Sequence, residues 1–219
     1  MRSLTQITAW QLWLLTLLLG CWPASVKAEF IVFDNGVGGA GGIGNAYLSD
    51  DDRPLSQFDD FSSATATRFD RIRWTGAYAF QNTPPANDDF RVEIRRARNN
   101  GNPGAVLYSH TIGNANRVDS GVDIFGFDVF SYEADIPEFS ITAGTTYWLG
   151  VINNTTGEFD NWYWGTQTGG NSRGSSNGNN YTAYNQNHDF TLVNTPEPSS
   201  AAVTLLTLGW LTFRRKRQA

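Results

Sequence analysis

The chain has 219 residues and a formal net charge of −5, which leaves room for one domain of ordinary size. Its single cysteine, Cys21, excludes a disulfide framework within the chain and a cysteine-based zinc site. Residues 29–195 hold 10 arginines, no lysine and 20 acidic residues, so they lack the basic stripe that nucleic-acid binding requires.

The N-terminal segment, residues 1–28, has the composition of a secretory signal peptide. A positively charged start is followed by an apolar run over residues 10–22 and by small residues that end at Ala28. The run is shorter than the roughly 20 residues that a membrane-spanning helix needs. The pattern therefore predicts export with cleavage after Ala28. A second interpretation takes residues 18–21, Leu-Leu-Gly-Cys, as a bacterial lipobox that would carry a lipid on Cys21.

The central segment, residues 29–195, consists of β-type patterns. Short runs rich in aromatic and β-branched residues alternate with turns rich in Gly, Asn and Pro, and no long stretch has apolar positions at the helical period. The predicted strands cover residues 30–33, 58–61, 67–74, 90–95, 105–112, 125–136, 139–141, 146–152, 162–164 and 189–193. This set predicts a single all-β domain, a jelly-roll-like β-sandwich.

The alternation within two of these strands is informative. Residues 90–95 alternate cleanly, with apolar side chains predicted inward and charged side chains outward. Residues 67–74 alternate imperfectly, which predicts a β-bulge near Asp70. Trp74 and Trp148 lie in apolar runs, and we expect both in the core.

Acidic clusters at residues 50–52, 59–60 and 88–89 are candidates for a metal site. Calcium takes six to eight oxygen ligands, and loops rich in carboxylates supply them in extracellular domains. The alternative is that aspartate serves here as a turn residue and a solubilising charge. The calcium hypothesis assigns the ligands to Asp50, Asp52, Asp88 and Asp89.

A run of aromatic residues before the last strand favours a carbohydrate-binding surface, because flat rings can stack on sugars while neighbouring amides bond hydroxyl groups. The candidate contact residues are Asn161, Trp162, Tyr163 and Trp164. On a strand the two tryptophans share one face and the tyrosine takes the other, so at least one of these faces belongs to the core. The asparagine-rich stretch over residues 171–187 is a further candidate for this surface. It overlaps a long polar loop predicted over residues 165–180, and long loops often carry function.

Catalytic signals are sparse. The chain has neither a G-x-S-x-G nor an H-E-x-x-H motif, and its two histidines, His110 and His188, are typical of surface or structurally satisfied residues. We therefore predict no catalytic residues and no enzyme activity. The alternative is a secreted polysaccharide hydrolase that uses Glu158 and Asp160, which would lie about 6–7 Å apart on a strand.

The C-terminal segment, residues 196–219, combines a proline break, a short apolar run and a basic end. The apolar run over residues 199–213 is marginal as a permanent membrane anchor, and the basic end would hold it with the central segment outside the cytoplasm. The residues that define the pattern are Pro196, Glu197, Pro198, Arg214, Arg215, Lys216 and Arg217.

This C-terminal pattern resembles the PEP-CTERM sorting signal of Gram-negative bacteria. The resemblance implies a transient helical anchor in the inner membrane, processing by an exosortase near residues 196–198, and release to the cell surface or extracellular matrix. It also implies a host that makes exopolysaccharide. We therefore expect a structural or polysaccharide-binding protein whose partners are the exosortase and either exopolysaccharide or another surface protein. A plain C-terminal anchor would also place the central segment outside the cytoplasm.

Overall fold

Strands account for all the regular secondary structure in the residues that the computed structural model describes, which are 29–36, 45–79, 84–158, 160–176, 178 and 180–195. The all-β prediction is therefore confirmed. The predicted signal peptide with Ala28 and Cys21, and the predicted sorting segment 196–219, lie outside these residues. Within the described part, no helix long and apolar enough to cross a membrane is found.

The described strands form two antiparallel sheets. In chain order they are β1 (Phe30–Asp34), β2 (Asn45–Leu48), β3 (Ser56–Phe61), β4 (Thr67–Ala79), β5 (Phe90–Ala97), β6 (Pro103–Gly113), β7 (Asn116–Ile124), β8 (Phe127–Ile141), β9 (Tyr147–Ile152), β10 (Asn161–Thr168), β11 (Arg173–Ser175), β12 (Tyr181–Ala183), β13 (Gln186–His188) and β14 (Phe190–Asn194). Sheet 1 contains β1, β2, β4, β7, β8, β10, β13 and β14. Sheet 2 has the order β12-β11-β3-β9-β5-β6.

Sheet 1 is organised around the long strand β4. One edge of β4 pairs with β8 along most of its length, and the register shifts between Phe69 and Arg71, which confirms the predicted bulge near Asp70. The other edge is divided between two strands. β14 pairs with residues 71–74 in the middle of β4, and β10 pairs with its last four residues, 76–79. β10 and β14 therefore separate at Thr75, which lies between the two pairings.

The inner faces of the two sheets share one aromatic core. The Phe90 ring of sheet 2 lies 5.2 Å from Trp74 and 5.0 Å from Trp162, centroid to centroid, and both tryptophans belong to sheet 1. Trp74 is fully buried there, as predicted. β5 presents its apolar side chains to this core and its charged side chains to the outer face, as its alternation predicts. All the described residues belong to one compact unit, Glu29–Thr195, which holds the whole core and therefore contains the contacts it needs to fold alone.

One close approach in sheet 1 requires glycine. At Gly76 a Cβ atom would lie 2.5 Å from the Trp162 ring and 2.6 Å from the Tyr163 carbonyl oxygen. Such distances leave no room for a side chain, because a core packed at normal density cannot move its backbone aside cheaply. Gly76 therefore permits the indole of Trp162 to lie directly against β4.

Candidate functional site

The structure places Asp50, a predicted calcium ligand, at the centre of a saturated set of hydrogen bonds. The side chain is fully buried. Its Oδ1 accepts from the backbone N–H groups of Asp52 (3.0 Å) and Thr155 (3.2 Å). Its Oδ2 accepts from the Thr155 hydroxyl (2.7 Å) and from the Trp162 N–H (2.9 Å). Asp50 therefore joins the turn after β2 to the loop that precedes β10.

Asp88, a second predicted ligand, belongs to a buried polar network. The Arg117 Nη1 donates to its Oδ1 at 2.9 Å, and the Tyr78 hydroxyl donates to the same oxygen. Burial raises the pKa of Asp88, while the bonds from Tyr78 and Arg117 oppose this rise. Asn153 extends the network, because its Nδ2 donates to the Tyr78 oxygen at 2.7 Å and its Oδ1 accepts from the Asp89 N–H at 3.0 Å.

Asn153 also connects the two predicted calcium clusters. Its backbone carbonyl accepts from the Asp51 N–H at 2.8 Å, so the 50–52 and 88–89 segments meet at one end of the sandwich. The side chains of Asp52 and Asp89 are exposed, whereas those of Asp50 and Asp88 are occupied by donors of the chain itself. Within the described ranges, no group of three or more His, Cys, Asp or Glu side chains is arranged to hold a metal ion. The calcium site stays a prediction.

The predicted carbohydrate contacts divide between the core and the surface. Trp162 and Trp164 are fully buried, because β10 lies between β2 and β4 with this face on the shared core. Neither indole can stack on a sugar in this arrangement. Asn161 is also buried, and its Oδ1 accepts from the Arg53 Nε at 3.1 Å. Among these four residues, Tyr163 alone presents part of its side chain to solvent.

The outer face of sheet 2 carries an unexpected group of aromatic and basic side chains, which we call the arginine–aromatic cluster. Its members are Phe58, Arg95, Arg98, Trp148, Arg173 and Tyr181. Trp148 is buried as predicted, but it lies on this outer face and not in the shared core. Its cross-strand neighbours are Asp60 on β3 and Arg95 on β5.

The three arginines of the cluster lie over three aromatic rings. The Arg95 guanidinium carbon is 4.8 Å from the centroid of Phe58, that of Arg173 is 5.4 Å from Trp148, and that of Arg98 is 5.8 Å from Tyr181. Such cation–π contacts hold a guanidinium in place while leaving its edge free to donate. The Arg95 donors are occupied by Glu93, Gly104 and Tyr181, so Arg98 and Arg173 are the arginines of the cluster that can donate to another molecule.

Glycine and asparagine complete the cluster. Phe58 lies so close over Gly150 that a Cβ atom there would be 2.6 Å from the ring. Asn102, in the turn between β5 and β6, accepts from the Arg173 Nε through its Oδ1 at 3.0 Å and from the Arg98 N–H through its carbonyl at 2.8 Å. Asn102 therefore holds the predicted polar loop, which contains Arg173, beside the β5–β6 turn.

The charges of the cluster differ from those elsewhere on the domain. Seven of the ten arginines between residues 29 and 195 form ion pairs with carboxylates: Arg53, Arg68, Arg71, Arg73, Arg91, Arg95 and Arg117. Arg96, Arg98 and Arg173 have no such pair among the described residues. The side chain of Arg173 reaches Asn102, to which the backbone of Arg98 is also bonded, whereas Arg96 is paired with Tyr147 and belongs to the opposite face of β5. Burial raises the pKa of Asp60, which lies near Arg173. A hydrogen bond from Asn171 and the positive charge of Arg173 oppose this rise.

A shallow pocket of about 480 Å³ on sheet 1 offers a contrasting surface. Arg73 contributes to its wall, but its guanidinium is bound by Glu133 at 2.6 Å and by Glu29 at 2.7 Å. Arg117, also in the wall, is bound by Asp88. Because these charges are already neutralised within the chain, the pocket offers a ligand less than the arginine–aromatic cluster does.

A buried titratable group lies between the sheets. The Asp59 Oδ2 accepts from the His188 N–H at 2.5 Å and from the Asn35 Nδ2 at 2.8 Å, and burial raises the pKa of Asp59 to about 8. The His188 ring is stacked on Trp164, 4.4 Å between centroids, and burial lowers its pKa to about 3. Neither ring nitrogen of His188 has a hydrogen-bond partner in the described part of the chain. The sequence alone does not predict this burial of His188.

The carboxylates of the hydrolase alternative are not arranged as the sequence suggests. Glu158 and Asp160 lie in the loop before β10, so the spacing of a strand does not apply to them. Glu158 is exposed and Asp160 is buried. His110, on β6, is partly exposed.

The arginine–aromatic cluster is hard to predict from the sequence. Arg95, Arg96 and Arg98 are close together, but Arg173 is more than seventy residues away, in a stretch predicted as a polar loop that instead contains the end of β10 and all of β11. Only the pairing of β11 with β3, which sets Arg173 opposite Phe58, brings these groups together.

A comparison with protein-family models finds no match for this chain, and neither does a comparison with curated proteins.

Proposed function

We propose that this chain is an exported component of the cell surface or extracellular matrix, with a non-catalytic domain that binds polysaccharide. The terminal segments support export, because residues 1–28 have signal-peptide composition and residues 196–219 resemble a PEP-CTERM signal. We further propose that the two sheets follow a jelly-roll-like connection. The C-terminal run would anchor the chain transiently until an exosortase cleaves near residues 196–198.

The observation that carries the binding function is the arginine–aromatic cluster. Guanidinium groups donate hydrogen bonds to oxygen atoms, and neither Arg98 nor Arg173 forms an ion pair among the described residues. Arg98 has its paired donors available, whereas Arg173 uses Nε and Nη1 within the chain. Tyr181 adds a half-buried ring, and the Asn100–Asn102 turn adds amide donors and acceptors at the same edge. Oxygen-rich sugars match this combination of donors and one partly exposed ring, Tyr181, since Phe58 and Trp148 are buried beneath the arginines.

The binding function is tested with residues 29–195 titrated against the exopolysaccharide of the host. We expect saturable binding at near-neutral pH, and the same titration with millimolar calcium or with a chelator tests the calcium hypothesis for Asp50, Asp52, Asp88 and Asp89. Serum albumin, which is also acidic, serves as the control for nonspecific association. Absence of binding in both conditions would contradict the proposal.

The sorting function is tested by the intact mass of the protein recovered from the cell surface. We expect a species that begins at Glu29 and ends near residues 196–198, because the signal peptide and the C-terminal segment would both be removed. A strain without exosortase should instead retain the C-terminal segment. A surface species that still ends at Ala219 would rule out processing.

A further inference from the structure

We infer that the polysaccharide is anionic, and that Arg98 and Arg173 bind its carboxylate or sulfate groups. The inference rests on the proposed polysaccharide-binding function and specifies its ligand. It starts from the way the arginines of the domain are distributed. The domain has twice as many acidic residues as arginines, yet these two guanidiniums form no ion pair among the described residues, and Arg173 interacts only with the charge of nearby Asp60.

The pairing of the other arginines makes this distribution informative. Arg71 is bound by Glu29 and Asp135 at 2.6 Å each, and Arg91 is bound by Asp51 at 3.0 Å. Carboxylates thus pair with most of the arginines of both sheets, including Arg95 of the cluster, whereas Arg98 and Arg173 form no ion pair among the described residues. An anion from another molecule can take the place that a carboxylate of the chain occupies elsewhere.

The geometry of Arg173 suits such an anion. Its Nε is held by Asn102, its Nη1 donates to the carbonyls of Asn171 and Ser172 at 3.0 Å, and its face lies on Trp148. These contacts fix the plane of the guanidinium before a ligand arrives. Ordering a flexible cation costs binding free energy, so an arginine already held in place loses less of it.

Arg98 is the more accessible of the two arginines. Its side chain is exposed, it lies over Tyr181, and it has no side-chain hydrogen bond to any described residue. Its backbone is tied to Asn102, as is the side chain of Arg173. Two neighbouring cations on one edge match a polymer whose negative charges repeat along its length, because each repeat unit can engage a cation.

A matched pair of polymers tests the inference: dextran sulfate, which is anionic, and dextran, which has the same backbone without charge. Residues 29–195 are titrated with each, and with polygalacturonate as a carboxylate polymer. We expect binding to both anionic polymers, weakening as sodium chloride is raised, and none to dextran. Because the domain is acidic overall, binding to a polyanion has to come from a local basic surface.

Substitutions locate the site. Arg98→Gln should weaken binding about tenfold, because a charge-assisted hydrogen bond is lost. Arg98→Lys, which keeps the charge but loses the paired donors, should fall between Arg98→Gln and wild type. Arg68→Gln is the matched control, since Arg68 is also exposed but lies on sheet 1 in an ion pair with Glu138. Inorganic sulfate, compared with chloride at equal ionic strength, shows whether the free anion alone competes for the site.

Each contrary result has a distinct meaning. Equal, salt-independent binding of dextran and dextran sulfate would overturn the anionic inference and leave polysaccharide binding intact. Equal weakening by Arg68→Gln and Arg98→Gln would overturn the assignment of the site. Binding of inorganic sulfate as tight as that of the polymers would overturn a polymer ligand. Absence of binding to any polymer, including the host exopolysaccharide, would overturn the proposed function as well. Unchanged unfolding midpoints of the variants confirm that they are folded.

Discussion

Replacing Asp50 with alanine is expected to lower the free energy of unfolding by about 3–5 kcal/mol, because several buried donors lose their acceptor at once. The Trp162 N–H and the N–H and hydroxyl groups of Thr155 all donate to this carboxylate. They lie where water cannot replace it, since Asp50 and Thr155 are both buried. Denaturant unfolding at pH 7, analysed with a common slope, measures the change.

Asp52→Ala is the matched control for this measurement. Asp52 lies two residues from Asp50, but its side chain is exposed, and among the described residues its carboxylate forms one ion pair, with Arg53 at 3.6 Å. Its replacement should change the free energy of unfolding by no more than about 0.5 kcal/mol. Equal losses for both variants would contradict the structural role of Asp50. Losses that appear only when calcium is present would instead identify both carboxylates as calcium ligands.

Raising the pH from 6.5 to 8 is expected to lower the free energy of unfolding of the wild-type domain by roughly 2 kcal/mol, through Asp59. Burial raises the pKa of Asp59 to about 8 in the folded state, whereas its ordinary value is 3.8. Between these values the folded state holds a proton that the unfolded state has released. Stability therefore falls as the pH rises from about 4 to about 8.

Above pH 6.5, two buried neighbours of Asp59 contribute little to the change of the free energy of unfolding with pH. Burial lowers the pKa of His188 from 6.5 to about 3, so its contribution to stability rises with pH mostly below 6.5 and by only about 0.4 kcal/mol above it. Burial also raises the pKa of Asp189 to about 6, and its contribution falls mostly below that pH. Asp59 should dominate the decline above pH 6.5.

Asp59→Asn provides the decisive comparison, because asparagine stays neutral at every pH. Its free energy of unfolding should change less between pH 6.5 and 8 than that of the wild type. Asp119→Asn, on the exposed strand β7, serves as the control and should keep the wild-type slope. If Asp59→Asn declines as steeply as the wild type, the pH dependence has another source.

Much of the local structure was predictable from short stretches of sequence. Aromatic and β-branched runs between Gly- and Asn-rich turns predicted an all-β domain, because side chains alternate across a strand with a period of two. The clean alternation in β5 and the break near Asp70 in β4 are both present. Trp74 lies in the core for the same reason. Each of these features depends on residues within a single strand.

The identity of the faces required the tertiary structure. Alternation separates Trp162 and Trp164 from Tyr163, but only the position of β10 in sheet 1 shows that the tryptophans are the buried pair. Trp148 was predicted to be buried, yet it lies under Arg173 on the outer face of sheet 2. A strand has two faces, and which of them meets the core depends on strand pairing over long distances.

The sequence by itself determined the fold class, the acidic character of the domain, and the composition of both ends. Only the tertiary structure decided that Asp50 binds donors from two distant residues, Thr155 and Trp162, and that Asp59 and His188 are buried together. It also decided that Arg98 and Arg173 both bond Asn102 without an ion pair of their own. The physical reason is that propensity and alternation act over neighbouring residues. The hydrogen bonds and ion pairs named here form between strands that are far apart in sequence but adjacent in the sheets, so short stretches of sequence do not predict them.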